Sequence, residues 1–172
     1  MSNRKELLAK YADQIFALMD EGYAQLYGTT PLSEKQVKAY IGQYLGFVDP
    51  RFTKVMVDEQ DKLAGFAITV PSLSDALYKC RGRLFPTGWA RLFWALKHPK
   101  TIDMLLVAVR KEYHARGTIA ILMTAQNQSA IENGIKYSET NPELETNIAI
   151  QGLWKCYTTR QHKRRRVYIK KL

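Results

Sequence analysis

The sequence predicts one α/β domain over residues 1–172, with a mixed central sheet flanked by helices. Apolar residues recur at helical spacing near the N-terminus, and short apolar runs of strand length follow later in the chain. One such run, over residues 102–109, leads into a glycine-containing turn and then a helical stretch, an order typical of α/β proteins. A chain of 172 residues is long enough to bury one ordinary core.

Two helices are predicted first. The apolar spacing favours a long amphipathic helix over residues 3–27, with Gly28 as its C-cap. Ser33 is a suitable N-cap for the second helix, which Asp49 and Pro50 should end.

A β-hairpin and two shorter helices are expected next. Residues 52–58 and 63–70 predict antiparallel strands joined by a polar turn, and Pro71 should end the second strand. Helical patches follow at about 72–80 and 88–97.

The continuous apolar run over residues 102–109 predicts a central strand covered on both faces. A basic turn over residues 110–117 then leads to a helix over 118–133, which Gly134 should close. Such a turn places backbone N–H groups and the positive end of a helix dipole together, which suits a phosphate or pyrophosphate.

The stretch from Val107 to Ala120 resembles the acyl-CoA-binding segment of the GNAT acyltransferase superfamily. In that family the fourth strand runs into a Gln/Arg-x-x-Gly-x-Gly/Ala turn and the third helix. Gly117 matches the first glycine, whereas His114 and Ile119 depart from the pattern. The resemblance implies the GNAT fold, and acetyl-CoA or another acyl-CoA as donor. The implied cofactor-binding residues are Val107, Ala108, Val109, His114, Ala115, Arg116, Gly117, Thr118, Ile119, Ala120 and Asn147.

The resemblance extends towards the C-terminus. Residues 141–147, 148–157 and 164–169 are similar to the family's fifth strand, fourth helix and last strand, and Asn147 stands where the helix begins. The family often has a tyrosine seven residues after that position, where this chain has Trp154. These departures indicate a divergent branch, related to the second half of larger two-domain proteins.

The implied reaction is transfer of the acyl group to an amine, which needs a base and an acid. Glu143 and Glu145 are the candidate bases, and Tyr157 is the candidate acid that protonates the departing thiolate. The alternatives are exposed strand-end acids for the two glutamates and a core aromatic for Tyr157. His114 is expected to be a turn residue beside the pyrophosphate, and no metal site is predicted.

The segment over residues 84–96 is rich in large apolar side chains and is flanked by basic residues. Three interpretations remain open: core packing, a pocket wall for an apolar substrate, and contact with an anionic membrane surface.

The net charge of +10 is concentrated near the C-terminus, where seven basic residues fall in the last thirteen positions. The cluster fits an exposed, charged edge strand, and the alternative is binding to nucleic acid or an acidic membrane, although no nucleic-acid motif is recognisable. The two cysteines, Cys80 and Cys156, are expected to be free and buried. No signal peptide is visible, so a cytoplasmic location is expected.

Three functions therefore compete. The first is an acyl-CoA-dependent N-acyltransferase acting on a small-molecule or peptide amine. The second is a related domain that binds CoA without turnover, and the third is a basic module that binds nucleic acid or a membrane. Oligomeric state is left open by the sequence.

Overall fold

The computed structural model describes residues 6, 9–24, 26–44 and 48–170. The chain divides into two compact units, residues 1–139 and residues 140–172. The first unit contains the sheet and most of the helices.

Four strands form one sheet in the order β1-β2-β3-β4. Their bounds are Lys54–Val57 for β1, Leu63–Pro71 for β2, Thr101–Val109 for β3 and Tyr137–Thr140 for β4. β2 pairs with β1 and β3 in antiparallel fashion. β4 begins beside the start of β3, where the Lys136 N–H donates to the Lys100 carbonyl at 2.8 Å, so these two strands run in the same direction. The sheet is therefore mixed, as predicted.

Six α-helices lie in the described residues. They are α1 (Ala12–Tyr23), α2 (Glu34–Tyr44), α3 (Ser74–Lys79), α4 (Gly88–Lys97), α5 (Thr118–Glu132) and α6 (Ile148–Leu153). A 3₁₀ turn over Lys111–Arg116 precedes α5, and another over Trp154–Cys156 follows α6.

α1 and α5 cover opposite faces of the sheet. Leu18 of α1 packs with Phe66 and Ala108, which are partners on β2 and β3. The residue before Phe66 on β2 is Gly65, which faces the opposite side of the sheet. A Cβ there would lie 3.1 Å from Leu122 of α5. Glycine at this position lets α5 approach the sheet closely.

β3 is an interior strand, but the prediction that both of its faces are covered is only partly right. Residues 103–107 are half-buried, whereas β2 has almost entirely buried side chains. A β-bulge accounts for part of this difference, because Ile68 pairs with Leu106 and Thr69 pairs with Met104. Leu105 is the extra residue, and it reverses the alternation of side chains along β3.

The first helix ends earlier than predicted. It stops at Tyr23, and the Thr29 hydroxyl donates to the carbonyls of Tyr23 and Leu26 just beyond the helix end. Gly28 lies beyond the helix end, in a turn with φ +82°. The predicted start of this helix falls partly outside the described residues. The Ser33 cap is confirmed, since its hydroxyl and N–H bond reciprocally with Gln36.

The unit over residues 140–172 differs most from the prediction. The strand expected over 141–147 lies earlier, at Tyr137–Thr140, because Pro142 has no N–H to donate to a ladder. The helix expected over 148–157 is α6 followed by a 3₁₀ turn, and Cys156 on that turn is exposed rather than buried.

The final strand predicted over residues 164–169 is wrong. Residues 158–170 have no regular secondary structure, and Val167, Tyr168 and Ile169 are exposed. An alternating sequence becomes a strand only where a neighbouring strand pairs with its backbone. In this exposed segment water can bond to the backbone N–H and C=O groups instead.

Core packing, one of the three interpretations of residues 84–96, is also wrong. Phe85, Trp89, Phe93 and Trp94 all expose more than half of their surface.

Candidate functional site

The turn between β3 and α5 is the first component of the candidate site. Gly117 has φ +70° and ψ 12°, the left-handed conformation that an ordinary side chain rarely adopts. A Cβ at this position would meet no atom within 4 Å. Glycine is therefore favoured here by the left-handed backbone conformation and not by a lack of space for a side chain. The prediction that this residue forms the turn is confirmed.

The N-terminus of α5 is open to an anion. The first intrahelical bond of α5 runs from the Ile121 N–H to the Gly117 carbonyl at 3.1 Å, so the N–H groups of Thr118, Ile119 and Ala120 have no acceptor in the helix. In the described residues, no side chain caps this end, and the first turn contains no acid. Three donors and the helix dipole therefore favour a negative group here.

Side chains fix the turn against the sheet. His114 Nε2 lies 2.8 Å from the Val109 carbonyl, to which it donates. The Tyr113 hydroxyl donates to Asp58 at 3.1 Å, and the Thr118 hydroxyl donates to the Tyr113 carbonyl at 3.0 Å. His114 therefore has the position of a turn residue, as expected, and the side chains of Ala115 and Arg116 lie outside the described residues.

The Asp58 carboxylate helps to hold the turn in place, because it accepts the hydrogen bond from Tyr113. The backbone N–H of Lys62 holds the pKa of Asp58 below its usual value, with a further contribution from the Tyr113 hydroxyl. The charged form that Tyr113 needs as its acceptor is thereby maintained.

Asp103 is a candidate residue that sequence reasoning missed. It lies on β3 opposite Val70, on the α1 side of the sheet because of the bulge at Leu105. Burial raises the pKa of its carboxyl, and the nearby Glu139 raises it further, while Ser72 partly offsets both effects. Its Oδ1 atom is buried with no hydrogen-bond partner among the described residues. An acid inside an otherwise apolar run was the signal that could have identified it.

Val107 and Ala108, two predicted cofactor-binding residues, lie between Asp103 and the turn on the same strand. The Tyr23 hydroxyl donates to the Val107 carbonyl at 3.3 Å and so links the end of α1 to β3.

A cavity of about 210 Å³ lies beside Tyr23. It is lined by the end of α1 and the loop that follows, with Met19, Ala24 and Leu32 among its apolar residues and Asp20 as its acid. An apolar wall with one carboxylate is chemically suited to an amine that carries an alkyl group.

The predicted catalytic residues Glu143, Glu145 and Tyr157 belong to the unit over residues 140–172, whereas the turn and Asp103 belong to the first unit. The Glu143 carboxylate accepts from Trp154 Nε1 at 2.9 Å and from Gln151 at 3.1 Å. Glu145 forms an ion pair with Arg164.

Tyr157 is partly exposed, with its ring 6.0 Å from that of Trp154. It is therefore not the core aromatic that one interpretation expected. Asn147 is the N-cap of α6, since its side-chain oxygen accepts from the Ile150 N–H at 3.3 Å. Its predicted position at the start of this helix is confirmed.

Solved structures of acetyltransferases share this arrangement of elements. The possible acetyltransferase of Clostridium difficile matches with a TM-score of 0.62 at 16% identity, covering 94% of this chain and 93% of that one. An aminoglycoside acetyltransferase, AAC(6')-Iy, solved with a CoA-containing bisubstrate analogue, matches with a TM-score of 0.56 at 11% identity, covering 95% and 93%. The ribosomal-protein-alanine N-acetyltransferase of Brucella melitensis gives 0.54 at 13% identity, covering 94% of each chain. The chain therefore has the GNAT acetyltransferase fold.

Two curated proteins are similar in sequence, and no protein-family model matches the chain. The bacterial ceramide synthase of Caulobacter vibrioides is 26% identical over 175 residues, which cover 96% of this chain and 45% of that protein. Protein YghO of Escherichia coli is 27% identical over 161 residues, covering 90% and 41%. The chain thus spans less than half the length of these curated relatives.

Proposed function

We propose that this chain is an acyl-CoA-dependent N-acyltransferase that acts on an amine. The observation that carries this proposal is the turn from β3 into α5, with left-handed Gly117 and three helix N–H groups at one point. The fold supports it, because its solved neighbours are acetyltransferases and one was solved with a CoA-containing analogue.

The residues of β3 and α5 are suited to binding an acyl-CoA donor. The N–H groups of Thr118, Ile119 and Ala120 would hold the pyrophosphate, with Gly117 allowing close approach of the backbone. Val107 to Val109 would lie along the pantetheine arm. When bound, the thioester supplies the acyl group that is transferred.

Asp103 is the base that the geometry of the described residues favours. It precedes Val109 by six residues on the same strand, a distance of about 20 Å, comparable with an extended pantetheine arm. A carboxylate with a raised pKa accepts a proton from an ammonium more readily than an ordinary one. Glu143 and Glu145 remain proposed bases, but each carboxylate is already engaged by other side chains.

The reaction forms a C–N bond and breaks the C–S bond. The amine proton passes to the carboxylate, and the thiolate takes a proton from an acid. Tyr157 is the proposed acid, since its phenol can donate a proton and the indole of Trp154 cannot.

The proposed acceptor is an amine with an apolar group. The cavity beside Tyr23 offers apolar residues for the attached chain, and Asp20 would attract the protonated amine before Asp103 takes its proton. The name of the Caulobacter relative supports a long-chain amine, because a ceramide is the N-acyl derivative of one.

A thiol-release assay tests the function. The full chain should release free CoA from an acyl-CoA only when an accepted amine is present, and mass spectrometry should detect the amide. The panel should combine acetyl-CoA and long-chain acyl-CoAs with a long-chain amino alcohol, a polyamine and a peptide amine. CoA-dependent thermal stabilisation without amide formation from any pair would favour a binding domain without turnover. Absence of both would overturn the proposal.

A further inference from the structure

The helical hairpin of α3 and α4 exposes an unusual number of large apolar side chains. We call residues 77–97 the hairpin surface. Its exposed apolar residues are Leu77, Tyr78, Leu84, Phe85, Trp89, Phe93 and Trp94. Isolated exposed apolar residues are normal in proteins, but here seven fall within 18 residues of one hairpin, a density that is typical of an interaction surface.

α4 has apolar residues on two of its faces, one of which is exposed. Gly88 is buried, and Leu92 and Leu96, at helical spacing from it, are half-buried. Trp89 and Phe93 are four residues apart, so they share a second face, and each exposes nearly 60% of its side-chain surface (58% and 59%). α4 therefore has an apolar stripe beyond the one that packs against the protein.

The loop before α4 is folded tightly onto the helix. A Cβ at Gly88 would lie 2.0 Å from the Arg83 carbonyl oxygen, so only glycine permits this approach. The Trp89 N–H also donates to the Leu84 carbonyl at 2.9 Å. Phe85, which is 82% exposed, thus lies in a loop that is held beside the start of α4.

Basic residues are interspersed with the aromatic ones. The segment over residues 74–100 has six basic residues and one acid, Asp75. The six are Lys79, Arg81, Arg83, Arg91, Lys97 and Lys100, all exposed. Among the described residues none of the six forms an ion pair, and Lys97 instead lies over the Phe93 ring at 5.3 Å.

We propose that the hairpin surface docks onto an anionic lipid bilayer, with its aromatic side chains in the interface and its basic residues at the headgroups. Aromatic and basic residues mixed on one amphipathic surface are typical of interfacial helices. Three of the six basic residues are lysines, a residue type in which the centres of protein–protein interfaces are depleted. No helix in the described residues is long and apolar enough to cross a membrane. This inference does not depend on the proposed acyl transfer.

Vesicle binding by the full chain tests the proposal. The chain should co-sediment with phosphatidylcholine vesicles that contain phosphatidylglycerol, and more weakly with phosphatidylcholine alone. In a Trp154→Phe variant the only tryptophans are Trp89 and Trp94, and their emission should shift to the blue on binding.

One matched pair of double variants and one triple variant locate the surface. Trp89→Ser with Phe93→Ser should lower the vesicle partition coefficient by at least about tenfold. Tyr168→Ser with Ile169→Ser changes apolar residues that are more exposed and also lie beside basic ones, and should alter it by less than about twofold. Replacing Arg81, Arg83 and Arg91 by Gln should weaken binding on the order of 100-fold at low salt. All of these residues are exposed, so unfolding temperatures should stay close to that of the wild type.

Three results would overturn the proposal. The first is no binding to anionic vesicles at low salt. The second is binding that the Trp89 and Phe93 variant keeps and the Tyr168 and Ile169 variant loses. The third is self-association that the Trp89 and Phe93 variant abolishes, without vesicle binding by the wild type, which would assign the surface to a second copy of the chain.

Discussion

Residues 101–134 and residues 140–172 are held in different ways. In the first region β3 lies between two strands, and α5 buries Leu122 and Met123 against the sheet. In the second region α6 has no buried residue, and polar contacts such as those of Glu143 with Trp154 hold its folded part. The proposed donor site is therefore held in place by packed strands and a helix. Glu143, Glu145 and Tyr157 are held by polar contacts and by contacts between partly exposed rings.

The largest expected effect measures this difference directly. Phe66→Ala removes a side chain with 0% exposure and should lower the free energy of unfolding by about 3–5 kcal/mol. Tyr168→Ala removes an aromatic that is 81% exposed and should change it by less than about 0.5 kcal/mol. Urea denaturation of both variants gives the comparison. A comparable loss for Tyr168→Ala would mean that residues 164–169 are packed after all.

The same difference explains how far the sequence predicted the structure. The run over 102–109, the left-handed Gly117 and the helix after it were predictable because each depends on local pattern and turn chemistry. The strand over 164–169 was not, because strand formation needs a partner that lies elsewhere in the chain. Asp103 was overlooked because the side of the sheet on which it lies depends on the bulge at Leu105. The hydrophobic periodicity of the sequence does not reveal that bulge.

The second prediction asks which region supplies the base. Asp103→Asn should lower turnover by about 100-fold while leaving CoA affinity unchanged, because the amide cannot accept the amine proton. Glu145→Gln is the matched control, since that carboxylate is exposed and paired with Arg164. Steady-state kinetics and CoA titration separate the two effects. Normal turnover for Asp103→Asn, with a large loss for Glu143→Gln or Glu145→Gln, would move the base to residues 140–172.

A third prediction concerns the folded part of the second region. Asn147→Ala removes the cap of α6 and should destabilise that helix by about 1 kcal/mol. Hydrogen exchange over residues 148–153 should become faster, while α5 keeps its protection. If exchange in α5 rises equally, the two regions unfold together and are not held independently.

The smallest effect is a pH dependence in the first region. Because folding raises the pKa of Asp103, its charged form is disfavoured in the folded state, and this cost grows as the pH rises through the unfolded and then the folded pKa. Asp103→Asn should therefore be more stable than the wild type at neutral pH, by less than about 1 kcal/mol because the carboxylate is only half-buried. The advantage should shrink as the pH falls towards about 4, the ordinary pKa of an aspartate in an unfolded chain. Thermal unfolding across this range measures it, and a constant difference would show that the pKa is not raised.

The central claim is that the turn at Gly117 binds the phosphates of CoA, and isothermal titration of CoA into two proline variants tests it most directly. Gly117 and Gly134 lie at opposite ends of α5 with φ values of +70° and +69°, and a Cβ at either would meet open space. Proline cannot adopt this φ, so each variant should distort one end of α5 at similar cost to stability. The wild type should bind CoA, Gly117→Pro should weaken binding at least about 100-fold, and Gly134→Pro should change it by less than about threefold. No CoA binding by the wild type, or equal losses in the two variants, would contradict the account.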